Sequence, residues 1–325
     1  IPTYVYNPKS GNLDSLKRHR YPFPDFGYNR VDGSYFKLNY AYFINPYSSG
    51  TFSIGTSSER GIIVGAQHRL TLTPYQRLYL KGYFVNKTGI EGGGILEHDI
   101  IQGTPESSGL FEDLFKPFIS QEKTLSSTLR LHYLHNEIVN YQLVDYRPLI
   151  ELETTNIHLP FDLYLMSNIG GGTIKDEQAQ THRYHLKHDL IKTIPLSKNL
   201  SFKNTVHSKA YYYGTDEQLT QLFNKITLSF DTSTYEHELS FTKKLDYNGS
   251  SPFKFDTENT ITSDELGFKS KINFSIFLIS LEGDYIINEE KMRNFTYGLG
   301  LNSHCWQILF KYNTVWDEFS VGFSL

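Results

Sequence analysis

The chain has 325 residues, among them 24 Tyr and 23 Phe but only 2 Met and 1 Cys, and a formal charge of -4. An aromatic share of 15% leans towards strands over helices. The charge leaves no basic footprint for nucleic acid, and the lone Cys305 excludes an internal disulfide.

The opening, Ile1-Pro2-Thr3-Tyr4, has neither a basic stretch nor an apolar signal run and reads as the inside of a longer protein or as a mature fragment. Residues 1–33 are therefore expected to be a lead-in from an upstream domain, and residues 34–325 a single barrel. Period-two alternation begins with Phe36, Leu38, Tyr40 and Tyr42. After the turn Asn45-Pro46-Tyr47-Ser48-Ser49-Gly50 come Phe52 and Ile54, then Ile62, Val64 and Ala66, then Leu78, Leu80 and Phe84. Residues 103–123 break the rhythm and are expected to be a long loop with a short amphipathic helix.

Alternation resumes at Leu129, Leu131 and Tyr133, and Leu159, Phe161, Leu163 and Leu165 read as one strand. Residues 170–180, starting at Gly170-Gly171-Gly172, read as a solvated loop. Tyr184, Leu186 and Leu190 follow, then Leu200, Phe202, Val206 and Ala210. The last third is the clearest, from Leu222, Ile226, Leu228 and Phe230 through Phe253 and Phe255, read as a strand, to Ile308, Phe310 and Tyr312. At the end Phe319, Val321, Phe323 and Leu325 alternate with Ser320, Gly322 and Ser324. The longest apolar run, Ile276-Phe277-Leu278-Ile279, falls far short of the roughly 20 residues of a membrane helix, whereas barrel strands need only about 9–11. The pattern predicts roughly 18–20 strands.

A soluble sandwich or propeller would also alternate. Three features favour a membrane barrel. Opposite the apolar face lie Lys269, Lys271 and Asn273, or Glu236, Glu238 and Ser240, as a wet lumen requires. Tyr35, Tyr79, Tyr211 to Tyr213 and Trp316 near strand ends suggest an interfacial girdle. A terminal strand suits a closed barrel, because an unpaired backbone group in lipid costs several kcal/mol. The expected fold is an all-β, transmembrane antiparallel barrel of even strand number, closed between its first and last strands. The strand around Phe36 to Tyr42 is expected to pair with Phe319 to Leu325. Lys37, Asn39, Ser320, Gly322 and Ser324 would point inward there and leave little packing across the seam.

The run His182-Arg183-Tyr184-His185-Leu186-Lys187-His188 invites a metal, but on a strand His182 and His188 share a face about 20 Å apart and His185 points the other way. No nucleophile elbow, Walker loop or H-E-x-x-H occurs, so neither cofactor nor enzyme activity is expected. A hydrolase with Ser and His meeting across strands stays open as a minor reading.

Pro22-Phe23-Pro24-Asp25-Phe26-Gly27-Tyr28, Asp32-Gly33-Ser34-Tyr35-Phe36-Lys37-Leu38, Ile44-Asn45-Pro46 and Ser58-Glu59-Arg60-Gly61-Ile62-Ile63-Val64-Gly65 follow one another in order. With His304-Cys305-Trp306 and the terminal strand, this order resembles the barrel of the outer-membrane lipopolysaccharide-assembly proteins of the LptD (organic solvent tolerance) type. The resemblance implies a translocon that receives lipopolysaccharide from an upstream periplasmic domain and releases it sideways between first and last strands. Its implied partners are lipopolysaccharide, outer-membrane lipid, a plug lipoprotein and periplasmic bridge proteins. Pro24 matches a lateral-gate proline whose missing N–H weakens pairing. A second family proline is Asn39 here, and Pro46 is retained. The gate implied comprises Pro24, Lys37, Asn39, Pro46, Phe319, Ser320, Val321, Gly322, Phe323, Ser324 and Leu325. A disulfide to Cys305 would need an upstream partner. The alternative from another class is a porin-type diffusion channel, with an inward constriction loop.

Overall fold

The computed structural model describes residues 23–101, 125–139, 142–257, 263–302 and 307–324. The expected loop at 103–123, Cys305 and Leu325 lie outside them. The described chain forms one 18-stranded sheet closed into a ring. Its strands are β1 (Phe23–Asn29), β2 (Gly33–Asn45), β3 (Ser48–Ser57), β4 (Gly61–Thr73), β5 (Gln76–Val85), β6 (Gly89–Ile101), β7 (Ser126–Val139), β8 (Gln142–Leu159) and β9 (Leu163–Lys175). They continue as β10 (Gln180–Pro195), β11 (Leu200–Tyr213), β12 (Gln218–Asp231), β13 (Tyr235–Gly249), β14 (Glu265–Phe274), β15 (Phe277–Ile286), β16 (Lys291–Asn302), β17 (Gln307–Asn313) and β18 (Glu318–Ser324). Each strand pairs antiparallel with its sequence neighbour, and β1 with β18 completes the circle.

Closure leaves no sheet edge, so every strand finds both partners without water. The distribution of side chains is the reverse of a soluble domain's. Ile62 is 55% exposed and Leu239 59%, whereas Glu97 is 1% exposed, His185 2% and Arg60 7%. Along β12, Ile226, Leu228 and Phe230 look out, and Phe223, Lys225 and Thr227 look in. A largely apolar exterior around a charged interior is favourable only in hydrocarbon, where it avoids hydrating that surface.

Five expectations need correction. The strand-bearing part begins at Phe23, not at residue 34: Pro24 and Gly27 look like lead-in punctuation, yet Phe26 and Tyr28 alternate with Asp25, Gly27 and Asn29 in β1. Gly170-Gly171-Gly172 are inside β9, paired with Tyr184 and its neighbours on β10, because the sheet supplies the partners that local propensity withholds. Phe161 is a turn residue with φ 67°, so Leu159 and Leu163 belong to two strands of one hairpin. Phe253 and Phe255 flank the start of a short helix, α1 (Lys254–Thr257), and are buried. The supposed girdle also divides: Tyr35, Tyr211 and Tyr213 are buried on the lumen side, while Tyr212 looks outward.

The barrel lumen as candidate functional site

The expected seam between β2 and β18 does not form, since β1 lies between them and pairs with both. Asp25, Phe26, Gly27 and Tyr28 of β1 face Gly322, Val321, Ser320 and Phe319 of β18. The joint is packed. A Cβ on Gly27 would lie 2.2 Å from the Phe319 carbonyl oxygen and 2.9 Å from the Tyr35 hydroxyl, so the absent side chain is what lets Tyr35 lie across the seam. Phe26 and Phe323 meet on the lipid side with ring centroids 6.3 Å apart. At the turns, the Arg30 N–H donates to Glu318 Oε1 at 3.1 Å, and the Arg30 guanidinium lies 4.2 Å from the centroid of Trp316.

The other residues of the predicted gate scatter. Pro24 pairs with Leu38 at the start of β1, and Pro46 sits in the β2–β3 turn. Lys37 donates to Asp32 at 2.9 Å, and Asn39 Oδ1 accepts the Ser53 hydroxyl at 2.7 Å, both inside the lumen. Ser324 pairs with Gln307 on β17.

Ion pairs organise the wall from β1 to β8. Arg60 reaches Asp32 at 3.0 Å and also pairs with Glu91, and Lys81 pairs with Glu137. Burial pushes the Asp32 carboxyl up, but Lys37 and Arg60 outweigh it and hold it below the ordinary aspartate value. Lower on the same wall, Arg77 donates to Glu97 at 3.1 Å and to Asp99 at 2.6 Å. Arg130 donates to the other oxygen of Glu97 at 2.9 Å and pairs with Glu153. A carboxylate as buried as Glu97 persists only with such double satisfaction. Further round, Glu151 lies 2.9 Å from His132 Nε2 and 3.2 Å from His185 Nε2. No group of three or more metal-ligating side chains occurs among the described residues.

On the far side the connection from β13 folds into the barrel. Phe253 and Phe255 pack with Val144, Ile174, Tyr211, Tyr213 and Leu219 in an apolar cluster of the interior. Asp256 is clamped above it, accepting from Arg183 Nη1 at 2.6 Å and from the Tyr213 hydroxyl at 2.9 Å. This strap covers the β8–β13 side; on the other side, among the described residues, a cavity of about 340 Å³ is lined by Lys37, Arg60, Lys81, Glu91, Glu137 and their neighbours.

A closed ring of 18 strands with an apolar exterior and an ion-paired interior defines an outer-membrane β-barrel with a channel-like lumen. No family model and no curated protein matches the chain. Among solved structures that align over most of it is Pseudomonas aeruginosa OpdL, at 11% identity, covering 94% of this chain and 96% of that one with a TM-score of 0.47. A bacterial polysaccharide outer membrane secretin aligns at 8% identity over 94% of this chain and 99% of that one, TM-score 0.47. Pseudomonas aeruginosa OpdQ aligns at 9% identity, over 93% and 94%, TM-score 0.43. At such identities the likeness is one of architecture.

These findings overturn the resemblance to the lipopolysaccharide-assembly proteins. No model of that family matches, and the strand around Phe36 to Tyr42 does not pair with β18 as its gate was expected to. Lipopolysaccharide transport, a translocon and a lateral gate are withdrawn with it. The motifs that carried the resemblance were short strand and turn segments, a vocabulary that barrels share. The strap and the ion-pair ladder escaped notice because their partners are distant in sequence, 73 residues in the case of Arg183 and Asp256.

Proposed function

We propose that the chain is a porin-type diffusion channel for small polar solutes. The observation that carries this is the charged lumen narrowed, beside β8–β13, by the strap. Charged walls keep a pore wetted, where an apolar constriction of the same width would dewet and close. The ion pairs hold the wall side chains in fixed positions, so the opening beside the strap has a defined shape. The cavity there, about 340 Å³, suits solutes of a few heavy atoms to small-metabolite size. Residues 250–257, folded inward after β13, would narrow the pore as a constriction loop does.

Liposome swelling tests the proposal. Vesicles containing the folded chain should swell in isotonic small polyols and amino acids, progressively less as solute size increases. Equal rates for protein-loaded and empty vesicles across the whole solute series would refute it.

A further inference from the structure

We propose that Lys187 and Lys209 form an oxyanion-binding site in the lumen wall, taking the carboxylate or phosphate group of a small solute in transit. The proposal rests on the channel reading and adds the chemical class of the solute.

The two lysines are direct cross-strand partners on the lumen face of β10 and β11. Like charges placed opposite each other destabilise a sheet, and the carboxylates that offset this pair, Glu151, Asp189 and Asp256, act on it from beyond ion-pair distance. Neither has a carboxylate within 4 Å or a hydrogen bond among the described residues; their aromatic contacts are the Tyr211 ring at 5.8 Å from Lys187 Nζ and the Phe223 ring at 5.4 Å from Lys209 Nζ. The acids in their neighbourhood are otherwise engaged. Asp189 accepts from His207 Nδ1 at 2.6 Å, Asp256 is held by Arg183 and Tyr213, and Glu151 by His132 and His185.

The flanking cross-strand residues are neutral, Asn168 opposite Lys187 and Gln221 opposite Lys209. On the opposite wall Arg60, Arg77 and Arg130 are each paired with carboxylates. Each ammonium has three donors and no acceptor, so two lysines in cross-strand register can together meet one oxyanion. Charge-assisted contacts of this kind suit a transit site, since they attract the solute without enclosing it.

Two measurements on the folded protein test the site. Inorganic phosphate and acetate are titrated separately into protein in detergent micelles by calorimetry, and against the chloride current in planar bilayers. Saturable binding of at least one anion is expected, about tenfold weaker in Lys187→Gln or Lys209→Gln and retained in Lys187→Arg. Which anion binds tells a phosphate-bearing from a carboxylate-bearing solute. Folding of each variant is read from heat-dependent gel mobility. Lys209→Glu, which turns the like-charged pair into an ion pair, should fold and not bind. Equal binding by wild type and the Gln variants, or none by folded wild type, overturns the site. Binding in micelles without any current would instead keep the site and overturn the channel, and current without binding would do the reverse.

Discussion

The wall from β5 to β8 and the wall formed by β10 and β11 are both rich in charge, and they use it oppositely. In the first, Arg77 and Arg130 share Glu97 between them and reach on to Asp99 and Glu153, so every guanidinium is spent on the protein itself. In the second, Lys187 and Lys209 face each other with no carboxylate within 4 Å among the described residues. Paired charge holds a barrel's interior in shape; unpaired charge is available to whatever passes. The number of ionisable residues in a lumen therefore says little until their partners are known.

The largest effect should come from the strap, which lies over the unpaired side. Arg183→Ala leaves Asp256 buried without its cation, and loss of such a pair costs about 3–5 kcal/mol. The strap should release, which limited proteolysis within residues 250–257 would register together with a rise in conductance. A variant with the same protection and conductance as wild type would mean that the clamp does not hold the strap.

Next comes the contrast between the two faces of a strand. Ile226→Lys places a charge on the lipid side and should cost about 2–4 kcal/mol in refolding into bilayers if it sits near the midplane. Thr227→Lys, one residue along and inward, should cost well under that. Similar costs for both would contradict the assignment of faces. Arg130→Ala should cost about 1–3 kcal/mol, because Glu97 keeps Arg77 but loses its second cation. Denaturant unfolding of the purified barrel measures it, and a neutral outcome would show that the ladder is ornamental to stability.

The smallest effect is at the rim. The folded-state value of Asp32 lies below the unfolded one of about 3.9, so its contribution is complete above that pH and is lost as pH falls through the lower folded value. Asp32→Asn should flatten this acid limb, seen by comparing unfolding midpoints at pH 7 and about pH 3. A mutant as acid-sensitive as wild type would assign the limb to other carboxylates.

Much of this was legible in the sequence. The period of two in segments such as Phe36 to Tyr42 or Leu222 to Phe230 shows the outward face directly, because side chains on a strand alternate whatever their partners are. Strand-hood at Gly170 to Gly172 was not legible, since glycine has no side chain to carry the pattern and the neighbouring strands alone hold it in place. Phe253 and Phe255 misled for the opposite reason: two aromatics at period two also fit one short helical turn whose rings insert into an interior. The pairing of Lys187 with Lys209 depends on register, which turn length and bulges set and composition does not.

Ion current through the purified chain alone, inserted in a planar bilayer from a preparation shown to be folded, is the most direct test of the channel. The structure as interpreted here predicts discrete conductance steps without any added partner, enlarged when the strap is released by Arg183→Ala. Folded protein that inserts and leaves the bilayer electrically silent, with the strap in place or removed, would contradict it.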